Sequence, residues 1–344
     1  TEKAVDMAHM TAAEARQAQL ELQNNVIHAY IQLSLHYAQL DIIESTLHQQ
    51  EQILDLAQKR LDGGIGTYFE VSQAQAPLPE IHRKIDAQEE EIALTRNQLS
   101  ALAGKGPGEG ARLKRPTLML GTALKLPSNL PVELLGQRPD VVASRWEVAA
   151  QARGIDVAHA GFYPNVNLMA SLGFVATGGG ALEFLAAKKL TYNVGPAISL
   201  PIFDGGRLRS ELGVASSGYD MAVAKYNQTL VNALKGISDQ LIKRESMDKQ
   251  QVFARESVEA AQKTYDIAMV AYQRGLTDYL NVLNAQTLLF QQQQVQQVVE
   301  ASRLSAHAEL VTALGGGLGA GNDVPKADRY APDKPPAIMK MFSR

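Results

Sequence analysis

Residues that could act chemically on a substrate are few in this chain of 344 and poorly placed for it. The seven histidines, His9, His28, His36, His48, His82, His159 and His307, are scattered and assemble no metal-ligand spacing. There is no cysteine, so disulfides, thiolate ligands and a cysteine nucleophile are excluded. Serine, histidine and aspartate form no triad-like pattern, and the glycine clusters lack the strand–helix setting and lysine of a phosphate loop. Glu89, Glu90 and Glu91 read as a solvated helix face, and Trp146, the lone tryptophan, reads as a packing residue. Neither catalysis, a metal nor a cofactor is expected. A net charge of −3 and a pI near 6.2 leave no basic footprint for nucleic acid. What remains is hydrogen bonding and packing along long elements.

Those elements are set by an internal repeat. A constant offset, 275 − 64 = 211 residues, lays Gly64 on Gly275, Tyr68 on Tyr279, Val71 on Val282, Ala74 on Ala285 and Gln75 on Gln286. The same offset carries Leu99 onto Leu310 and Gly104 onto Gly315. In each copy a long helical pattern runs into glycine, crosses a few small or polar residues and begins a second helix. Glycine supplies the left-handed residue that ends a helix, and Thr67 or Asp278 caps the next one. The chain therefore reads as a tandem duplication of a long helical hairpin.

The first helix is predicted from about Met7 to Leu61, roughly 80 Å at 1.5 Å per residue. Val26, Leu33, Leu40, Leu47, Leu54 and Leu61 recur at intervals of seven, a seam that packs against another long helix. The return helix, Phe69 to Ala103, meets Pro77 and Pro79, where a break is expected. Residues 1–104 thus form the first repeat and 105–140 a Gly/Pro-containing connector. Residues 141–314 form the second repeat, with a helix of roughly 95 Å from Leu208 to Tyr272 and a return helix from Tyr279 to Leu314. Residues 315–344 are a Gly/Pro-rich tail. No apolar run approaches the roughly 18 residues of a membrane-spanning helix. Gln291 to Gln294, with Gln296 and Gln297, give the last helix a polar, uncharged face.

Before the second long helix the period changes to two. Strands are predicted over about 163–174 and 191–203, with Val166, Leu168, Leu172, Val194, Ile198 and Leu200 on the apolar face. The alternate positions are small or polar, and aromatic residues sit near the ends. Ten-residue alternating segments bounded by aromatics are typical of transmembrane β-barrel strands. A half-buried hairpin in a soluble sheet fits the alternation equally well. The repeat register has no counterpart of this strand pair in the first copy, so a matching pair is expected upstream of Thr1.

Leu134-Leu-Gly-Gln-Arg-Pro-Asp140, Ala158-His-Ala-Gly-Phe-Tyr-Pro164, Leu200-Pro-Ile-Phe-Asp-Gly-Gly-Arg207 and Gly275-Leu-Thr-Asp-Tyr-Leu-Asn-Val-Leu-Asn-Ala-Gln286 occur in that order. Together they resemble the TolC-type outer-membrane efflux family, most closely its NodT-like lipoprotein branch, which serves multidrug or aromatic-acid export. The resemblance implies a mainly α fold with a β-hairpin. Long helical hairpins would build a trimeric α-barrel in the periplasm, and the strands would join a shared transmembrane β-barrel in outer-membrane lipid of a Gram-negative bacterium. It implies a homotrimer docked on a periplasmic adaptor and an inner-membrane pump, with no nucleic acid and no chemistry on the exported compound.

By the same resemblance, the hairpin tips contact the adaptor: Gly63, Gly64, Ile65, Gly66 and Thr67 in the first, and Gly275, Leu276 and Thr277 in the second. The family narrows its periplasmic entrance with carboxylates just after the second tip. Here those positions hold Asn281 and Asn284, with Glu70 and Gln73 at the equivalent places in the first repeat. An amide ring hydrogen-bonds without carrying charge. Only Glu70 supplies a carboxylate, and its ordinary reading is a solvated surface residue. The competing reading of the whole chain is a soluble coiled-coil scaffold with a small hairpin.

Overall fold

The computed structural model describes residues 2–116, 136, 138–174 and 190–316. The order of elements is α1 (Glu2–Asp62), α2 (Tyr68–Gln75), α3 (Leu78–Leu102), α4 (Pro107–Gly110), α5 (Pro139–Ala160), β1 (Asn165–Phe174), β2 (Leu190–Ser199), α6 (Arg207–Gln273) and α7 (Tyr279–Ala313). α1 and α7 run without an internal Gly or Pro, and α6 without Pro, so nothing in these sequences interrupts the backbone ladder. The predicted loop between the strands, at 176–189, and most of the tail lie outside the described residues, as do 117–135 of the connector.

Contacts divide the chain into two compact units, and these are not the two sequence repeats. One holds Thr1–Glu14 with Asp140–Leu230, the other Ala15–Pro139 with Val231–Val324. Each unit draws on both copies because hairpins of one repeat pack side by side with those of the other.

In the first unit, the start of α1 lies against α5. His9 and Trp146 rings stand 4.7 Å apart, Trp146 is buried, and Arg153 reaches Glu2 at 3.0 Å. Buried positions here are mostly small, among them Ala13, Ala143, Ala150, Ala152 and Ala222, which lets helices approach closely.

In the second unit, Ala29 and Leu33 of α1 pack on Ile92 and Leu99 of α3, flanked by Tyr37, Leu40 and Leu102. Gln88 of α3 donates to Nδ1 of His36 at 2.9 Å and to its carbonyl at 3.1 Å. A larger cluster joins four helices: Ile53 and Ala57 of α1, Ala74 of α2, Ala261, Tyr265 and Tyr272 of α6, and Tyr279, Val282, Ala285 and Leu289 of α7. Of the heptad seam, Leu33 is fully buried, whereas Val26 remains exposed.

The prolines divide the first return helix into α2 and α3. Pro77 and Pro79 have no N–H with which to reach back one turn. Ala76 and Pro77 keep helical dihedrals, so the ladder is interrupted while the direction is largely kept.

Candidate functional site: hairpin tips and strand pair

Both tips are built on the same pair of hydrogen bonds, to which the first adds a bond from Gly66 N–H to the Arg60 carbonyl at 2.9 Å. At the first, Gly64 N–H donates to the Leu61 carbonyl (2.9 Å) and Ile65 N–H to the Arg60 carbonyl (3.0 Å). At the second, Gly275 donates to Tyr272 (3.0 Å) and Leu276 to Ala271 (2.9 Å). This pair of bonds around a left-handed glycine is the Schellman stop. Gly64 and Gly275 have φ of 72° and 74°. The next helices are capped alike, Thr67 accepting from Glu70 N–H at 3.2 Å and Asp278 from Asn281 N–H at 3.3 Å. The far ends of the return helices repeat the motif at Gly104 and Gly315, whose φ values are also positive. Gly66 has a second constraint, since a Cβ there would stand 2.8 Å from the Leu61 nitrogen.

The two copies differ in what covers them. Tyr68 is 82% exposed, while its repeat partner Tyr279 is 1% exposed. Ile65, Phe69, Leu276 and Leu280 are exposed as well, so the tips carry apolar side chains outward.

Behind the tips lies a polar network that sequence reasoning missed. Arg60 places its guanidinium 5.0 Å from the Tyr272 ring centroid and donates to the Tyr272 carbonyl at 3.2 Å. Its Nε faces the Glu70 carboxylate at 3.8 Å, with both side chains largely buried. Tyr272 and Tyr279 rings meet tilted at 57° with centroids 6.1 Å apart, a favourable edge-on arrangement. Burial pushes the hydroxyls of Tyr265, Tyr272 and Tyr279 upward in pKa; at Tyr272, Glu70 adds to the rise. Gln50, fully buried, donates to the Ala74 carbonyl at 2.6 Å and to the Tyr279 hydroxyl at 2.9 Å. No local signal in the sequence marked Gln50: Pro77 and Pro79 withdraw ladder donors from the carbonyls of Gln73 and Gln75, not from that of Ala74.

The four entrance candidates therefore differ in setting. Asn281 is exposed, and its amide donates to Thr277 Oγ1 at 2.7 Å and Asp278 Oδ1 at 3.0 Å, so it is fixed by the cap. Asn284 is exposed and Gln73 half-buried. Glu70 stands against Arg60 rather than in open solvent.

β1 and β2 pair antiparallel, with Val166 opposite Ile198, Leu168 opposite Pro196, Ala170 opposite Val194 and Leu172 opposite Tyr192. Residues directly opposite share a face. One face is therefore apolar along its length, and the other carries Asn165, Asn167, Ser171, Asn193 and Ser199. Val166, Leu168, Leu172, Val194 and Ile198 are all strongly exposed in the single chain. The strands are shorter than the sequence suggests. Leu200 falls one residue beyond β2, where the chain turns through Pro201 toward α6. There Asp204 accepts from Gly206 N–H at 3.0 Å and Leu208 N–H at 2.9 Å, capping α6.

Among the described residues no helix is long and apolar enough to cross a membrane, and no cluster of three or more His, Asp or Glu side chains is placed to hold a metal ion. The strand pair is a separate matter, because its apolar face needs only period two.

Fold and tips together define a tandem helical-hairpin protein bearing strands of the membrane-barrel type. More particularly, the chain belongs to the outer membrane efflux protein family, whose model matches residues 1–105 and 130–316. It is 42% identical over 334 residues to the fusaric acid resistance protein FusA of Burkholderia cepacia, covering 94% of this chain and 61% of that protein. It is 30% identical over 321 residues to the multidrug resistance outer membrane protein MdtP of Escherichia coli, covering 93% of this chain and 65% of that one. The chain thus spans less than two thirds of these relatives. Among solved structures, the outer membrane protein VceC of Vibrio cholerae superposes with a TM-score of 0.77 at 33% identity, over 91% of this chain and 74% of that one. Membership places the protein among those of the outer membrane and sets aside the soluble-scaffold reading.

Proposed function

We propose that this chain is the wall segment of an outer-membrane exit channel that passes drugs or small organic compounds, with no chemistry on the cargo. The observation that carries this reading is the strand register. It gathers Val166, Leu168, Leu172, Val194 and Ile198 on one exposed face, with Met169 the large apolar residue on the other, and leaves both outer edges open. Two strands cannot close a barrel, and open edges are not tolerated in lipid. Strands of sister chains supply the missing neighbours, and a homotrimer is the assembly that fits the family. The names of the relatives, resistance to fusaric acid and to multiple drugs, support a cargo of small organic molecules.

In this reading the pump lies in the inner membrane and a periplasmic adaptor joins it to the channel. The apolar tip residues Ile65 and Leu276 are the adaptor's contact points, together with Gly63, Gly64, Gly66, Thr67, Gly275 and Thr277. Asn281, Asn284 and Gln73 narrow the entrance as amides. Glu70 contributes little net charge there because Arg60 accompanies it.

The test is planar-bilayer recording with the full-length protein purified in detergent. Discrete conductance steps, from particles of three chains and with weak ion selectivity, are expected. A detergent-free, monomeric protein that adds no conductance overturns the reading.

A further inference from the structure

At the end of the strand pair where Asn165 faces Ser199, the chain leaves Ile202 92% and Phe203 94% exposed, more than any other large apolar side chain among the described residues. The turn that carries them is built to hold them out. Pro201 restricts the backbone before them. After them Asp204 clips the chain by accepting from Gly206 and Leu208 N–H, and Gly205 and Gly206 take positive φ of 64° and 91°. Buried Leu208 then packs on the other crossing of the chain, since a Cβ at Gly161 would stand 3.1 Å from its Cδ2. That contact sets exposed Tyr163, which leads into β1, at the same end of the pair. Apolar side chains held open on a rigid turn mark a surface that something covers.

The order of polarity along the chain says what covers it. Ile198 and Leu200 are apolar and exposed, Ile202 and Phe203 follow, and Arg207 and Arg209 open α6. Arg207 is paired with Glu211 at 2.6 Å, whereas exposed Arg209 makes no hydrogen bond or ion pair among the described residues. Hydrocarbon, then an aromatic boundary, then cations is the order met on leaving a lipid leaflet. A protein neighbour gives no reason for cations to begin where the apolar row stops. Height agrees: strands of 10 residues, at about 3.3 Å each and tilted by roughly 40°, rise about 25 Å, the apolar band of an outer-membrane barrel.

We propose that Ile202, Phe203 and Tyr163 form a wedge in the phospholipid leaflet nearer α6, seated where acyl chains meet headgroups, with Arg209 pairing with a lipid phosphate. The wedge sets the depth of the strands, because its rigid turn joins β2 directly to α6. It rests on the exit-channel reading, whose apolar strand face it continues.

The experiment uses the full-length protein in phospholipid vesicles, with nitroxide labels placed one at a time. Collisions with oxygen, which concentrates among acyl chains, are compared with collisions with a water-soluble nickel chelate. These 344 residues hold no cysteine, so Phe203→Cys, Leu168→Cys and Lys235→Cys each add a single thiol to them. Leu168 reads the lipid face of the strands, and exposed Lys235 is the water reference. The label at 203 should lie about 5–10 Å into the headgroup–acyl boundary, between the other two. Ile202→Cys should give the same depth and serves if Phe203→Cys does not fold. Arg209→Gln should raise the chelate collision rate at 203 toward that at 235; an unchanged rate removes the phosphate pairing. With 168 in lipid, a label at 203 as open to the chelate as 235, or shielded from both reagents as a second copy would shield it, overturns the proposal. If 168 itself meets water, the channel reading falls and the wedge falls with it.

Discussion

Arg60 of the first hairpin clasps Tyr272 of the second: its guanidinium lies over the ring and donates to the carbonyl that also accepts from Gly275 N–H. Arg60's own carbonyl accepts from Ile65 and Gly66. Each of these residues therefore ends its own helix and touches the other, so the two tip turns are mechanically joined. Arg60→Met should uncouple them and leave Glu70 without its cation. A loss of about 1–3 kcal/mol is expected from the cation–π contact and the hydrogen bond together. A lowered Tm and more frequent opening events in bilayer recordings check this; wild-type values for both would contradict it.

Gly275→Val forces a β-branched residue into positive φ, at a cost of roughly 1–2 kcal/mol. Nothing crowds the position, so the effect isolates backbone conformation from packing. Reduced adaptor crosslinking and increased drug susceptibility are the expected readouts. Gly64→Val should behave alike, because its turn has the same pair of bonds.

Gln50→Leu keeps the volume and deletes both donors. The Ala74 carbonyl, buried beneath the proline break, then has lost its side-chain partner, and about 1–3 kcal/mol of stability goes with it. Denaturant titration of the purified protein measures the loss, and an unchanged midpoint would mean that water replaces the amide.

Leu168→Arg should destabilise insertion by about 2–4 kcal/mol if that face meets lipid at mid-depth. Asn167→Arg, one residue along and on the opposite face, should be tolerated. Assembly yield in outer-membrane fractions distinguishes them; equal yields would remove lipid from the apolar face.

His36 and His307 have pKa values lowered chiefly by burial, with Arg244 adding to the effect at His307. The unfolded chain then binds protons more readily than the folded one. Their contribution is fully present above the ordinary histidine pKa of about 6.5 and is lost as pH falls through the folded values. His36 also accepts from Gln88 on Nδ1, a role that protonation ends. Stability should decline on acidification below about pH 6.5, and His36→Gln should flatten part of that slope in thermal melts.

The duplication, the glycine stops, the caps at Thr67 and Asp278 and the period-two strands were legible in the sequence, because each rests on local backbone chemistry. A left-handed residue, a side-chain acceptor three residues before an N–H and strict alternation are properties of short stretches. Family membership was legible for the same reason. Tertiary structure alone decided the rest. Tyr68 and Tyr279 are the same residue at the same repeat position, yet one is exposed and the other buried, since burial depends on which neighbouring helix arrives. Arg60 and Tyr272 lie 212 positions apart, and Gln50 and Tyr279 229. No local pattern encodes such partners. They are chosen when four helices converge and every desolvated polar group must find a donor or acceptor among whatever side chains the packing brings near.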